Sequence, residues 1–208
     1  MSWEPVRFMF FSTLEGVGLL ALMLSVFRLK ITQFIWPALF TILVMNLQSY
    51  ILRNELSLSY LVPVINIFLF VLFITIIVRE PVLGAGIITI TGYLLFSILQ
   101  ASLLLLVFGS IRNIEDSAAN GYALQSLSFL VDTLLAWFLY RHGLGFSFDF
   151  EKLRLKKESL VVVLFILVTT MTFAVLMYQE NISKLSIFFV VSLLYFLYYS
   201  FKKEKEDD

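Results

Sequence analysis

Two carboxylic acids, Glu15 and Asp132, stand inside long apolar stretches of this 208-residue chain. A charged side chain at the centre of a bilayer costs about 2.5–3.5 kcal/mol on insertion scales, so such residues usually face a protein interior or water and are functional. The sequence places no Lys or Arg at a comparable depth beside either acid. We therefore expect each acid to be protonated, hydrogen-bonded to neutral groups or in contact with water.

Five amide side chains accompany the acids within the apolar stretches. They are Asn46, Gln48, Asn66, Gln100 and Gln125. In one interpretation they line a polar pocket together with the acids and bind a small molecule, a peptide or an ion. In the other they are structural and form hydrogen bonds between helices, worth about 0.6 kcal/mol each.

Several chemistries are excluded by residue type. His142 is the only histidine and the chain has no cysteine, which argues against a His- or Cys-rich metal site and against a catalytic triad. There is no glycine-rich phosphate-binding loop with a lysine, and the last apolar run has no lysine for a retinal Schiff base. We expect no enzymatic activity, no cofactor, no metal and no nucleic-acid partner.

The elements that position these side chains are membrane-spanning helices. Apolar residues make up 60% of the chain and charged residues 14%, whereas soluble domains are about half apolar. A helix needs about 20 apolar residues to cross a bilayer. Seven runs meet or approach that length: 8–27, 33–52, 58–78, 82–109, 122–140, 160–178 and 185–201. The sequence therefore predicts an all-α, polytopic bundle of about seven transmembrane helices that forms a single transmembrane domain, with the lipid bilayer as its surroundings.

The boundary between the third and fourth runs consists only of Arg79, Glu80 and Pro81. One helix through both runs would be more than twice as long as the membrane core, so the chain must turn back there. Pro81 suits the first turn of a new helix, where its missing N–H would have no partner. The fourth run is overlong and has glycines near its start, including Gly84 and Gly86, which predicts a tilted helix or irregular first turns.

The basic residues set the orientation, because cells retain Lys and Arg on the cytoplasmic side of short loops. With seven crossings, one side carries eleven of them: Arg28, Lys30, Arg79, Arg141, Lys152, Arg154, Lys156, Lys157, Lys202, Lys203 and Lys205. The other side carries four: Arg7, Arg53, Arg112 and Lys184. This asymmetry predicts an N-terminus outside the cell membrane and a C-terminus in the cytoplasm.

The orientation puts all five amides in the outer half of helices one to five. Glu15 shares that level and Asp132 lies slightly deeper, so the sequence predicts a polar cavity that opens to the outside. On the inner side, Lys152, Arg154, Lys156 and Lys157 alternate with apolar residues in one loop. Such a loop suits contact with anionic lipid headgroups, or with a cytoplasmic partner.

The first apolar run carries a family resemblance. Residues 11–27, Phe-Ser-Thr-Leu-Glu-Gly-Val-Gly-Leu-Leu-Ala-Leu-Met-Leu-Ser-Val-Phe, followed by Arg-Leu-Lys, resemble the first helix of the membrane sensor region in Gram-positive, peptide-sensing histidine kinases of the accessory-gene-regulator type. The resemblance implies a bacterial sensor that reads an extracellular signal. Only Lys-Lys-Glu-Lys-Glu-Asp-Asp follows Phe201, without a dimerisation helix or an ATP-binding domain, so kinase activity is not expected.

Three functions remain open. The first is a non-enzymatic, sensor-like or accessory signalling subunit with an outward-facing polar pocket and a membrane or cytoplasmic signalling partner. The second is a small transporter, or a transporter subunit, in which Glu15 and Asp132 carry coupling protons. The third is a structural partner in a membrane assembly.

Overall fold

The computed structural model describes residues 3–54, 58–115 and 117–147, together with Leu194. The helices of this part are α1 (Glu4–Ser25), α2 (Ile35–Asn54), α3 (Val62–Phe73), α4 (Val82–Leu103), the short α5 (Arg112–Glu115) and α6 (Ala118–Arg141). Turns of 3₁₀-helix, Ile31–Gln33 and Ser59–Leu61, precede α2 and α3, and π-helical turns, Ile74–Val78 and Leu104–Phe108, extend α3 and α4. The described residues include no β-strand.

Five helical segments of the described residues are long and apolar enough to cross a membrane. They are Glu4–Ser25, Ile35–Arg53, Ser59–Val78, Val82–Phe108 and Ala118–Arg141. The prediction of an all-helical chain suited to multiple membrane crossings is thus confirmed for this part of the protein. The predicted runs 160–178 and 185–201 lie outside the described residues, so the count of seven helices and the outside N-terminus stay predictions.

The turn between α3 and α4 occurs where the sequence places it. Arg79 ends the π-helical turn in the left-handed region, with φ of 70°, and reverses the chain. Pro81 is the N-cap of α4, immediately before the first helical residue, and not within the first turn as predicted. Its ψ of 146° is the extended conformation of an N-cap residue, and its missing N–H leaves no helical hydrogen bond unmade there.

The irregular part of the fourth segment lies at its end, and not in its first turns. Gly84 and Gly86 are buried within regular α-helix. The last turns, Leu104–Phe108, are π-helical, and Leu105 and Leu106 are exposed there to 55% and 84%. The first turns are thus packed inside the bundle, whereas these last turns are largely exposed among the described residues.

Helix α1 is the centre of the described bundle. Every residue from 18 to 27 is buried, so the second half of this helix is covered on all sides. It packs most extensively on α6, and also on α2 and α4. Small residues allow the close approach: an added Cβ at Gly18 would lie 3.1 Å from the Cα of Phe129, and one at Gly92 would lie 2.7 Å from the Cα of Met23.

The contacts of α1 also fix the relative directions of the helices. Phe11 stacks on Tyr122, with ring centroids 4.9 Å apart, while Gly18 meets Phe129 further along, so α1 and α6 run parallel. Conversely, Phe8 contacts Tyr50 near the end of α2, which makes α1 and α2 antiparallel. Helices α1 and α4 are antiparallel as well, because Glu15 meets Gln100 whereas Met23, later in α1, meets Gly92, earlier in α4. Alternating directions are those of a chain that crosses a membrane repeatedly.

The outer surface of the bundle suits contact with lipid tails. On α2, Trp36, Phe40 and Leu47 share one face and are exposed to 80%, 71% and 55%. On α6, Leu130 and Leu134 are exposed to 54% and 64%. Large contiguous apolar faces of this kind are rare on soluble monomers and are normal where the surrounding solvent is hydrocarbon.

Candidate functional site

Glu15 is the hub of a hydrogen-bond network that joins three helices. The Oε1 atom of Glu15 on α1 accepts a hydrogen bond from the Nε2 atom of Gln100 on α4. Its Oε2 atom accepts one from the Nε2 atom of Gln125 on α6, at 3.1 Å. The same Gln125 nitrogen also donates to the Oγ atom of Ser12, at 3.1 Å. Both carboxyl oxygens are therefore used, and α1, α4 and α6 are joined at one level.

Asp132 lies further along the same contact between α1 and α6. Its side chain is fully buried, and neither carboxyl oxygen has a hydrogen-bond partner among the described residues. It packs directly on α1, because a Cβ added at Gly18 would lie 3.3 Å from the Asp132 Cβ atom. The two acids are close enough to interact electrostatically. An acid without a partner in such a place is costly, and this makes it a candidate for function.

Ser128 completes the row of polar groups on α6. At 100° per residue, Gln125, Ser128 and Asp132 lie within about 60° around the helix and so share one face. Ser128 is 1% exposed, and its hydroxyl group has no partner in the described part of the chain. We call the set Ser12, Glu15, Gln100, Gln125, Ser128 and Asp132 the polar seam. Its first half is hydrogen-bonded, and its deeper half, Ser128 and Asp132, is buried without a partner among the described residues.

Asn46 is not part of the polar seam. Its Nδ2 atom donates to the Oγ1 atom of Thr13, at 3.0 Å, and Thr13 in turn donates to the carbonyl oxygen of Met9. Thr13 and Glu15 are two residues apart on α1 and so point about 200° apart around the helix axis. Asn46 thus shares the level of Glu15 but contacts another face of α1, and this contact joins α2 to α1.

Gln48 and Asn66 lie outside the seam as well. Neither polar atom of the Gln48 side chain has a partner among the described residues, and the same is true of the Asn66 Oδ1 atom. Asn66 on α3 hydrogen-bonds with Tyr93 on α4. Tyr93 stands two helical turns before Gln100 and therefore on the same face of α4. The predicted amides thus share a region of the bundle, but only Gln100 and Gln125 contact an acid.

One basic residue lies within electrostatic range of Glu15. Arg53, close to the end of α2, is near enough for an attractive Coulomb interaction with Glu15 and also interacts with Tyr93. Arg53 is exposed in the last turn of α2 and forms no ion pair with Glu15, so the prediction that no Lys or Arg pairs with either acid at its own depth is not contradicted.

Sequence reasoning missed the hydroxyl groups of the seam. Ser12 and Ser128 are common residue types in membrane helices, and nothing in either residue alone distinguishes it. A usable signal was the spacing, because Ser12 precedes Glu15 by three residues and Ser128 precedes Asp132 by four, which puts each hydroxyl on the face of an acid. Each serine could therefore have been predicted from its spacing to the acid.

The predicted inner-surface contact residues, Lys152, Arg154, Lys156 and Lys157, lie outside the described residues. Within the described residues, no group of three or more His, Cys, Asp or Glu side chains could hold a metal ion. The seam combines amide donors, carboxyl acceptors and hydroxyl groups that can donate or accept, so it can exchange hydrogen bonds with a polar group.

Comparisons with known proteins give no relative from which a function could be transferred. No protein-family model, no curated protein and no solved structure matches this chain. The function therefore has to be inferred from the polar seam itself.

Proposed function

We propose that this chain is a non-enzymatic, multi-pass protein of the cell membrane that acts as a sensor-like or accessory signalling subunit and binds an extracellular small molecule or peptide at the polar seam. The observation that carries the proposal is the fully buried Asp132, whose two carboxyl oxygens have no partner among the described residues. A buried acceptor left unpaired costs about 1–3 kcal/mol, which a purely structural bundle has no reason to retain.

The chemistry of the seam indicates what kind of group it binds. Gln100 and Gln125 already donate to Glu15, so in the described part of the chain the unused hydrogen-bond capacity lies in the acceptors of Asp132 and in the hydroxyl of Ser128. A ligand that fits must donate hydrogen bonds, and a positive charge would also offset the two acids. An amino terminus, an ammonium group or a guanidinium group on an extracellular ligand satisfies both conditions.

The route to the seam can be tested with single cysteines, because the chain has none of its own. Ser128→Cys puts a thiol of similar size beside Asp132. We expect a small, membrane-impermeant thiol reagent to react with Ser128→Cys when it is added outside intact cells. Ala119→Cys, at the exposed start of α6, is the positive control and should react from the same side.

The matched buried control is Ser25→Cys. Ser25 is 4% exposed at the opposite end of α1, and its hydroxyl donates to backbone carbonyls of its own helix. It should stay unreactive. Protection of Ser128→Cys to the level of Ser25→Cys, while Ala119→Cys reacts, would show that the seam is closed to the outside and would overturn the proposed pocket. Reaction of Ala119→Cys from the cytoplasmic side alone would overturn the orientation.

The signalling role has a separate test. We expect affinity purification of the tagged protein from its native membrane to recover a histidine kinase or another signalling membrane protein, which loses its response to the extracellular ligand when this chain is deleted. Deletion that leaves every signalling response unchanged would contradict this role, even if the seam proves to be open.

A small transporter is the second candidate, and one observation favours it. The two acids interact electrostatically on one seam, and among the described residues only Glu15 has hydrogen-bond partners; acids arranged in this way are typical of proton relays in transporters. In proteoliposomes with an internal pH-sensitive dye and a potassium gradient with valinomycin, a transporter would move protons when substrate is added. Asp132→Asn would abolish that movement. Absence of any flux supports the signalling subunit instead.

A further inference from the structure

Two basic side chains lie over aromatic rings at the end of the bundle where α1 and α6 both finish. The Nζ atom of Lys30, in the segment between α1 and α2, is 5.1 Å from the centroid of the Tyr140 ring. The Cζ atom of Arg141 is 5.0 Å from the centroid of the Trp137 ring. These distances are within the range of cation–π attraction, so both charges are held at defined positions.

The four residues form one continuous surface. Trp137, Tyr140 and Arg141 are spaced i, i+3 and i+4 on α6 and so lie on one face of that helix. Lys30 joins them through its contact with Tyr140. The two rings are exposed to 55% and 42%, and neither cation forms an ion pair within the described parts of the chain. Among the described residues, the surface therefore offers two positive charges that no anion neutralises.

The surrounding backbone keeps this surface in place. Arg28, three residues after the end of α1, adopts a φ of 56° and so turns the chain toward Lys30. On the other side, the segment after α6 returns to α1, where the backbone N–H of Phe146 donates to the carbonyl oxygen of Val26 at 2.8 Å. Gly145 permits the return, because a Cβ there would lie 2.5 Å from that same oxygen. Both basic groups are therefore attached to a fixed corner of the bundle.

An apolar track leads away from the surface along α6. Leu130 and Leu134 precede Trp137 at intervals of four and three residues and are exposed to 54% and 64%. A molecule that matches the whole arrangement carries a compact negative group at one end and an extended hydrocarbon chain at the other. An acidic protein partner would match the charges but not the track.

We propose that Lys30, Trp137, Tyr140 and Arg141 bind the headgroup of an anionic phospholipid, whose acyl chain lies along Leu130 and Leu134. The site belongs to the lipid environment of the fold and does not depend on the polar seam or on the proposed signalling role. Charge supplies the specificity: the phosphodiester of phosphatidylglycerol carries a net negative charge, whereas the choline group of phosphatidylcholine cancels that charge.

Lipid binding to the purified, detergent-solubilised full chain can be measured by native mass spectrometry. We expect phosphatidylglycerol to bind more tightly than phosphatidylcholine of the same chain length. Each basic residue near anionic lipid contributes enough for about a fivefold change in affinity. Lys30→Gln or Arg141→Gln should therefore weaken phosphatidylglycerol binding about fivefold, and the double variant about 25-fold.

The matched control removes the same charge elsewhere. Arg7 and Arg112 are exposed cations outside this surface, and the Arg7→Gln, Arg112→Gln double variant should bind phosphatidylglycerol like the wild type. An equal loss in both double variants would mean that net charge alone attracts the lipid, and it would overturn the site. So would equal binding of the two lipids by the wild type. Unchanged thermal stability of the Lys30 and Arg141 variants shows that any loss of binding is not due to unfolding.

Discussion

Removal of the Glu15 carboxyl group should destabilise the packing of α1, α4 and α6, because this group accepts two interhelical hydrogen bonds. Glu15→Met keeps a similar side-chain length and leaves the amides of Gln100 and Gln125 without that acceptor. Interhelical hydrogen bonds in membrane proteins contribute about 0.6 kcal/mol on average, and at most about 1.7 kcal/mol. Two such bonds predict a loss of about 1.2 kcal/mol in the free energy of unfolding.

The two bonds should not contribute equally. Gln125 keeps the hydroxyl of Ser12 as a second acceptor, at 3.1 Å, after Glu15 is replaced. Double-mutant cycles should therefore give a larger coupling energy for Glu15 with Gln100 than for Glu15 with Gln125. Glu15→Gln is the matched control for charge, because an amide at position 15 can still bond to both glutamines if one of them rotates its own amide group. It should stay within about 0.5 kcal/mol of the wild type.

The measurement is reversible unfolding in bicelles under increasing SDS, followed by circular dichroism. For a chain of this size a loss of about 1.2 kcal/mol also corresponds to a decrease of about 2–5 °C in Tm. Glu15→Met with wild-type stability would refute the structural role of the network. A Glu15→Gln variant as unstable as Glu15→Met would show that charge, and not hydrogen bonding, holds the three helices together.

The remaining predictions concern packing and the unpaired acid, and thermal unfolding of the purified protein checks each of them. Gly92→Ala should destabilise the protein by about 1–3 kcal/mol, because its Cβ would overlap Met23, whereas Gly121→Ala, which meets only an ordinary contact at 3.9 Å, should be neutral or slightly stabilising. Equal stability of these two variants would contradict the close approach of α1 and α4. Asp132→Ala should raise stability by about 1–3 kcal/mol, since it removes two buried carboxyl oxygens that have no partner among the described residues and adds no volume, and a loss of stability would mean that Asp132 has a structural partner. Gly145→Ala should lower stability by more than 1 kcal/mol because its φ of 131° is strained for a residue with a Cβ, and no change would show that this turn is not held in place.

Much of the helical layout could be read from the chain alone. In the hydrocarbon of a bilayer, a run of about 20 apolar residues forms a helix, because a helix gives every backbone N–H and C=O group a hydrogen-bond partner within the segment. The same reasoning located the turn at residues 79–81, where one helix would have been too long for a bilayer. It did not foresee that α4 is irregular at its end, since regularity there depends on which turns have packing partners.

The shared level of the polar side chains was also accessible from the sequence, because depth follows from the position along each helix. Which of those side chains meet was not. Asn46 and Gln125 stand at similar depth, yet Asn46 contacts Thr13 on one face of α1 and Gln125 contacts Glu15 on another. That difference depends on the rotation of each helix about its axis and on the order of helices around α1. Both are set by the packing of Gly18 against Phe129 and of Gly92 against Met23.

The sequence by itself thus determined that the chain is helical, that it is suited to a membrane, and that two acids are placed within its apolar segments. Only the tertiary structure decided that Glu15 is hydrogen-bonded while Asp132 is buried without a partner in the described part of the chain. The physical reason is that helix formation and membrane insertion depend on local composition. The pairing of a buried polar group depends on which side chains neighbouring helices bring within about 3 Å, and the close contact of their small residues decides this.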